Sequence, residues 1–524
     1  MKKDVESTIK RAQRFQTILI AEGILVGAAA GIVVLLYRTA LGYADIWLRY
    51  ILEFAETSAA LTAGWFAVLA AIAFVTARLV DWEPMISGSG IPQLEGEIGG
   101  KLDPVWWKVV IAKFTGGFFC MLGGLALGRE GPSIQLGAMT GKGISRKLDR
   151  GKTEEKFLLT CGASAGLAAA FHAPLAGVMF SLEEIHKNFS VSVLLSVTTA
   201  SITADFLCSL ILGTDSVFRF DIIYPLPTAY YWMIVILGLI LGLAGAFYNW
   251  FTLKVQALYK KVKLPGTFSR ILVPFMISGA LGFTCPQLLG SGERLIEELT
   301  GPGMTLGIIL LILAGRFVFS AVCFGSGAPG GIFFPLLVLG GFIGGAFAMT
   351  GVQYFGLDSM YVNNFVLLAM AGYFAAIVRA PITGIVLIFE MTGSLSQMLS
   401  LSIVSVTAYT VASLLGSKPI YESLLERLLR NGEKDHGEDE ASDGQKVLTR
   451  YVIQHGSEPA GKQIKDVKWP DHCLLVAVER GSDELIPKGR TRLEAGDVII
   501  TMADERDSAA VHEAMIKICS GTVR

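Results

Sequence analysis

Two carboxylates in apolar surroundings set the chemical question. Glu130 lies in Gly128-Arg129-Glu130-Gly131-Pro132, at the end of the glycine-laced run FTGGFFCMLGGLAL, and Glu184 lies 54 residues on, in FSLEEIH. An ionisable side chain at membrane depth is a functional candidate by default. A tethered carboxylate can occupy an anion site as a mimic of the anion, and protonation removes the charge that holds it there. The residue types leave a second reading open, in which Arg129 and Glu130 simply pair at a membrane edge. Three Gly- and Pro-rich segments bear on the choice: SGSGIP (87–92), GREGP (128–132) and GAPGGIFFP (327–335). Each puts glycines at or before a helix start and a proline suited to the first helical turn. Backbone N–H groups at such starts carry free donors and about half a positive charge. If the three converge, their amides and the Ser89 hydroxyl form a cradle that holds a small anion weakly enough to release it. Taken singly, each segment is equally well a packing turn.

Segments at that depth need helices to position them. The 524-residue chain is 52% hydrophobic and 17% charged, with a mean hydropathy of +0.55, which excludes an ordinary soluble enzyme. Apolar blocks recur at 15–37, 61–80, 105–127, 157–182, 191–213, 229–251, 269–289, 304–324, 332–349, 363–389 and 397–416, each near the roughly 20 residues of a spanning helix. Breakers such as Gly123, Gly124, Pro174, Gly330, Gly331, Pro335 and Pro381 interrupt them. That pattern fits helices that stop inside a membrane around a cavity, so helices should outnumber blocks. Residues 1–14, with Lys2, Lys3, Lys10, Arg11 and Arg14, read as a cytoplasmic tail. Glu22 and the length of the first block argue against a cleaved signal peptide. The seven cysteines form no close CxxC pair and read as packing residues, and no metal site or cofactor motif is evident.

The membrane part, 15–430, repeats itself, about 15–215 against 225–425. Gly88-Ser89-Gly90 recurs as Gly290-Ser291-Gly292, Lys113-Phe114 as Arg316-Phe317, and Pro132 to Gly137 as Pro335 to Gly340. Ala173-Pro174 with Glu183 recurs as Ala380-Pro381 with Glu390. Repeated halves usually place the substrate at their interface. Residues 431–446 form an acidic linker, and 447–524 alternate like strands (LLVAVERG, GDVIITMAD) before a short amphipathic helix, a small soluble α/β domain.

SGSGIP, GREGP, GAPGGIFFP and the later Lys418-Pro419-Ile420-Tyr421, in this order, resemble the signature segments of the CLC family of chloride channels and chloride/proton antiporters. The resemblance covers about 15–425. It implies an all-α polytopic membrane protein with an inverted-topology repeat and broken helices, working as a homodimer with one anion pathway per subunit. By the same resemblance Ser89, Tyr421 and the backbone amides of Ile332 and Phe333 bind chloride. Glu130 is then the gate, and Glu184 relays protons, which favours exchange over a passive channel. Gly88, Gly90, Pro92, Gly128, Arg129, Gly131, Pro132 and Lys113 support that site. Gly461, Lys462, Ile464, Val476 to Val478, Arg480, Pro487, Gly496 and Asp497 resemble the TrkA-C type of regulatory domain, which implies dimerisation and a possible small-molecule or nucleotide ligand. The readings still open are chloride/proton exchange, a gated chloride channel, and a ligand sensor controlling anion flux. No Walker loop, HExxH or GxSxG points to an enzyme, and nothing points to nucleic acid.

Four further residues carry two readings each or a structural one. Lys113 and Arg316 either raise the local positive potential or anchor helix ends at headgroups. Glu183, mated to Glu390 by the repeat, is expected at a helix end. His172, in an apolar frame at a break, is expected as a satisfied or capping histidine, with a proton relay as the alternative. Lys101 to Lys108 with Trp106 and Trp107 read as an interfacial belt.

Overall fold

The computed structural model describes residues 2–187, 191–213, 225–262, 266–300, 304–393, 397–435, 446–454, 456–480, 483–504 and 507–519. They form two compact units, Met1–Leu429 and Arg430–Arg524.

The first unit is helical and built twice. Its first half runs α1 (Lys2–Ala55), α2 (Ala59–Trp82), α3 (Ile91–Ile98), α4 (Trp106–Leu122), α5 (Glu130–Lys147), α6 (Lys152–Phe171), α7 (Pro174–Phe180) and α8 (Val191–Leu212). The second half answers element for element: α9 (Tyr231–Lys261), α10 (Gly266–Thr284), α11 (Glu293–Thr300), α12 (Leu306–Gly325), α13 (Phe333–Tyr354), α14 (Val362–Val378), α15 (Pro381–Thr392) and α16 (Met398–Leu414). A further helix, α17 (Ile420–Asp435), closes the unit. Packing follows the same doubling, α1 on α8 as α9 on α16, and α5 on α6 as α13 on α14.

Small residues make these contacts possible. Gly23, Gly27 and Gly31 of α1 meet the backbone of Ser196, Ala200 and Ala204 on α8, and a Cβ at any of the three would overlap it. Gly137, Gly141 and Gly162 do the same between α5 and α6. Without a hydrophobic drive between helices in lipid, such close approach supplies the packing energy.

The seventeen helices α1 to α17 among the described residues outnumber the eleven apolar blocks, and eight of the described helices are long and apolar enough to cross a membrane. Two blocks are each a pair of helices. Block 157–182 splits into α6 and α7 at His172 (φ 51°), and block 363–389 splits into α14 and α15 at Arg379 (φ 74°). Each break precedes an Ala-Pro step, where proline disfavours helical geometry in the residue before it. In the other direction, α1 continues unbroken from Lys2 to Ala55, through the supposed tail and well past residue 37.

The second unit is a four-stranded antiparallel sheet in the order β1-β4-β2-β3, from β1 (Lys446–Val452), β2 (Cys473–Arg480), β3 (Asp483–Leu485) and β4 (Val498–Asp504), with α18 (Ser508–Cys519) packed on β1 and β4. Tyr451, Val478, Leu493, Ile499 and Met515 form its core. Two boundaries differ from the sequence reading: α17 takes in the linker's first residues to Asp435, and β1 begins at Lys446. Linker residues 436–445 lie outside the described residues.

Candidate functional site

The site begins where the two halves touch. Gly128 and Gly331, repeat mates, pair as an isolated antiparallel bridge, the Gly128 N–H donating to the Gly331 carbonyl at 2.7 Å and the Gly331 N–H to the Gly128 carbonyl at 2.8 Å. Two residues past each glycine a helix starts, α5 at Glu130 and α13 at Phe333. The bridge therefore brings two helix N-termini together deep in the protein. Such ends offer unpaired N–H donors and partial positive charge.

Glu130 is 0% exposed. Its carboxylate lies beside the Phe334 backbone N–H at the start of α13, and the Arg129 guanidinium stands 3.8 Å away. The side chain of Phe333 packs on Phe171, Phe180 and Phe374, with ring centroids 5.5, 5.8 and 4.6 Å apart, which anchors this helix start. Ile332 and Phe333 are both fully buried.

The third segment reaches the same place. Gly88 (φ 65°) and Gly90 (φ 94°) turn the chain into α3, whose second residue is Pro92. Gly90 also has no room for a Cβ, which would strike Gln135. The Ser89 hydroxyl is buried without a hydrogen-bond partner among the described residues and faces Gly131, in the first turn of α5 with Pro132. The Tyr421 hydroxyl, at the start of α17, is likewise buried and unpartnered. Asn249 and Arg379 position that start, donating to the carbonyls of Lys418 at 3.1 Å and Ser417 at 2.7 Å. Two unpartnered buried hydroxyls and two helix N-termini, with Glu130 among them, form an environment that solvates an anion and penalises a cation.

Lys113 and Arg316 anchor no helix end at a surface. Lys113 is 0% exposed and donates to the carbonyls of Ile86 and Gly88 at 2.8 and 2.6 Å. Arg316 donates to those of Leu288 and Gly290 at 2.6 and 2.5 Å. A chain break exposes carbonyls as well as amides. A buried cation that binds the carbonyls keeps their negative ends out of the anion's way, so the headgroup alternative is replaced by this one.

Glu184 lies in a single π-helical turn, Ser181–His186, that continues α7. Single π-helical turns of this kind are frequent at functional sites. Glu183 accepts from the N–H groups of Ile382 at 3.3 Å and Thr383 at 2.8 Å and from the Thr383 hydroxyl at 2.8 Å, at the start of α15. Glu390 of α15 accepts from Leu175 and Ala176 at the start of α7, at 2.9 and 2.7 Å. Glu184 instead points inward, is buried, and lies close to the carboxyl group of Glu95 on α3. Two carboxyl groups so placed suit a proton shared between them. Lys187 stands 3.8 Å from Glu95, and the charges of Glu184, Glu95 and Glu130 all act on Tyr421.

Glu95 was missed by the sequence reading. Its signal was a carboxylate three residues past Pro92 in an otherwise packed short helix, legible only beside Glu184. His172 caps α6 through its N–H to the Ala168 carbonyl and meets Asp205 through Nδ1 at 3.1 Å. Trp106 and Trp107 are half exposed, with the Lys108 ammonium 5.9 Å from the Trp107 ring.

Two like-folded halves of broken helices, meeting at buried helix N-termini around an ionisable gate-like residue, define a membrane transport protein for a small anion. Residues 68–413 match the voltage gated chloride channel family, and the chain belongs to that family. Residues 448–515 match the TrkA-C domain. The chain is 38% identical over 374 residues to the H(+)/Cl(-) exchange transporter ClcA of Vibrio cholerae serotype O1 (strain M66-2), covering 70% of this chain and 80% of that one. To ClcA of Cronobacter sakazakii (strain ATCC BAA-894) it is 35% identical over 396 residues, 74% of this chain and 82% of that one. Among solved structures, a slow cyanobacterial Cl-/H+ antiporter superposes with a TM-score of 0.75 at 29% identity, covering 79% of this chain and 98% of that one. A CLC-type fluoride/proton antiporter shares the fold, with a TM-score of 0.64 at 22% identity over 77% of this chain and 97% of that one.

Proposed function

We propose that this protein is a secondary active transporter that exchanges chloride for protons across the cell membrane. The observation that carries the proposal is the placement of Glu130, a fully buried carboxylate seated at the N-terminus of α13, beside the unpartnered Ser89 hydroxyl region and within the field of Tyr421. There it occupies the kind of place a chloride ion would take, with Ile332 and Phe333 supplying amides. Protonation discharges it, the neutral side chain leaves, and chloride enters; loss of the proton brings it back. Glu184, beside Glu95, supplies protons from the opposite side and favours exchange over a passive channel, which has no need of a buried inner carboxyl pair. The names of the relatives support the same reading.

The proposal includes a multi-pass protein of the cell membrane with both termini cytoplasmic, acting as a homodimer with one pathway per subunit. Its soluble domain is a regulatory unit that takes a small-molecule or nucleotide ligand, supported by a 490 Å³ cavity lined by Ser457, Gly461, Arg492 and Glu494. No cofactor and no catalytic step are part of it. Purified protein in liposomes, given a chloride gradient while internal pH is recorded, tests the exchange. Failure to drive protons uphill sinks it.

A further inference from the structure

The second half's counterpart of the Gly88-Ser89-Gly90 break ends differently. Gly292 (φ 95°) turns the chain into α11, and the residue that follows is Glu293, where the first half has Ile91. The loop is held firmly, by the Arg316 guanidinium on the carbonyls of Leu288 and Gly290 and by the Gly290 N–H on the Gly124 carbonyl at 3.1 Å. Glu293 Oε1 therefore stands at a fixed place, 3.5 Å from Arg129 Nη2. The Nε of the same guanidinium is 3.8 Å from Glu130 Oε1 and has no hydrogen-bond partner among the described residues. One cation thus lies between two carboxylates. Glu130 is sealed, whereas the Glu293 side chain is 35% exposed and lines a 330 Å³ cavity that also holds Arg129.

We propose that Glu293 is a positioning residue for the exchange reaction. By sharing Arg129 it sets how strongly that guanidinium attracts the Glu130 carboxylate and an arriving chloride. The proposal rests on the exchange reading above.

Other charges around the pair are accounted for. From α1, Tyr37 and Arg38 face it, while Asp45 and Arg49 pair with each other at 3.0 Å. From α11, Arg294, Glu297 and Glu298 line the same cavity. Glu293 is the acid whose carboxylate touches Arg129 across the cavity, so its charge is the one that divides the guanidinium's pull. When Glu293 is ionised, Arg129 is partly neutralised.

Glu293→Gln keeps the shape and removes the counter-charge. Arg129 then holds the ionised Glu130 more strongly, so Glu130 takes its proton only at lower pH. Exchange is measured in vesicles of uniform orientation, with the pH of each face set separately. The half-maximal pH on the cavity face should fall by about half a unit or more, with the chloride-to-proton ratio unchanged. Glu297→Gln, an acid of the same cavity, should leave the half-maximal pH in place. No shift in Glu293→Gln, an equal shift in Glu297→Gln, or an equal shift on both faces overturns the proposal. If Glu293→Gln does not fold, Glu293→Asp, which withdraws the carboxylate by one methylene, should shift the profile the same way by less, and an unchanged profile overturns the proposal. Wild-type protein that moves no protons overturns the exchange reading itself.

Discussion

The reciprocal carboxylates of α7 and α15 allow a prediction with a worked magnitude. The two short helices pack antiparallel, and each carries near its C-terminal end a glutamate that reaches the other's first-turn amides. Helices this short have no stability of their own, so their ends must be held by partners. In Glu390→Gln the side chain keeps one acceptor, and its new NH2 group confronts a backbone N–H that the second oxygen satisfied. Losing that bond and stranding a donor costs about 1–3 kcal/mol, and removing the negative charge from a helix N-terminus costs about 0.3–1 kcal/mol more. Both glutamates are half-buried, so a loss of about 2 kcal/mol is reasonable. At about 2 °C per kcal/mol for a large chain, the Tm should fall by about 4 °C. Glu183→Gln should fall at least as far, because Glu183 also accepts from the Thr383 hydroxyl. The two sites lie at opposite ends of the helix pair and share no atoms, so the double variant should lose about 8 °C, the sum of the two. Thermal unfolding in detergent, followed by tryptophan fluorescence, reads all three. Single variants that melt within about 1 °C of wild type, or a double variant no worse than either single, would refute the clasp.

Four other outcomes follow. Glu130→Gln should abolish proton coupling while anion flux persists, measured as chloride efflux with internal pH recorded. Glu184→Gln should stop proton movement and spare chloride flux; intact coupling would shift the inner relay from Glu184 to another group. Ser89→Ala and Tyr421→Phe each remove one donor to the anion, about 1–2 kcal/mol, and should weaken chloride binding about 5–30-fold by calorimetry. In the soluble domain, burial of Asp497 (2% exposed) works against its charge, but the Arg480 guanidinium at 2.8 Å and the Glu494 N–H outweigh it and hold its carboxyl below the usual range. A folded pKa below the unfolded one means the folded state binds fewer protons. This stabilisation is therefore present above the ordinary carboxylate pKa and is lost as pH falls through the depressed value. Hydrogen exchange of β2 in the full chain should accelerate over that acid range, and Asp497→Asn should flatten the response.

What the sequence disclosed, and what it withheld, follows from how local each determinant is. The breaks were readable because glycine and proline act on their own backbone: Gly88, Gly90, Gly128, Pro174 and Pro381 mark turns whatever surrounds them. The duplication was readable because Lys113 and Arg316, or Glu183 and Glu390, keep their spacing. Their tasks were not readable, since tying down break carbonyls or capping the opposite half's helix depends on atoms some 25 to 215 residues away. The length of α1 was hidden because residues 38–55 mix polar and apolar types and include Gly42 but no proline, so apolar counting ends where the helix does not. Glu95 and Glu293 escaped for a third reason. Each looks like an ordinary acid in a short helix until the fold sets it beside Glu184 or Arg129.

The bridge between Gly128 and Gly331 explains why a duplicated scaffold yields a one-way arrangement of chemistry. By the repeat, Arg129 corresponds to Ile332, Glu130 to Phe333, and Gly131 to Phe334. The backbone is nearly symmetric, so each half delivers a helix N-terminus to the centre with the same donors. The side chains are not: one half supplies a carboxylate that can be discharged, and the other supplies aromatic packing that fixes its helix start. A symmetric pair of carboxylates would repel across the bridge, and a symmetric pair of phenylalanines would leave nothing for a proton to act on. Asymmetry at these three positions therefore gives a doubled pair of helix N-termini a single carboxyl side chain. The same logic extends outward, where Glu293 replaces the aliphatic Ile91 and only one face gains an acid that can share Arg129.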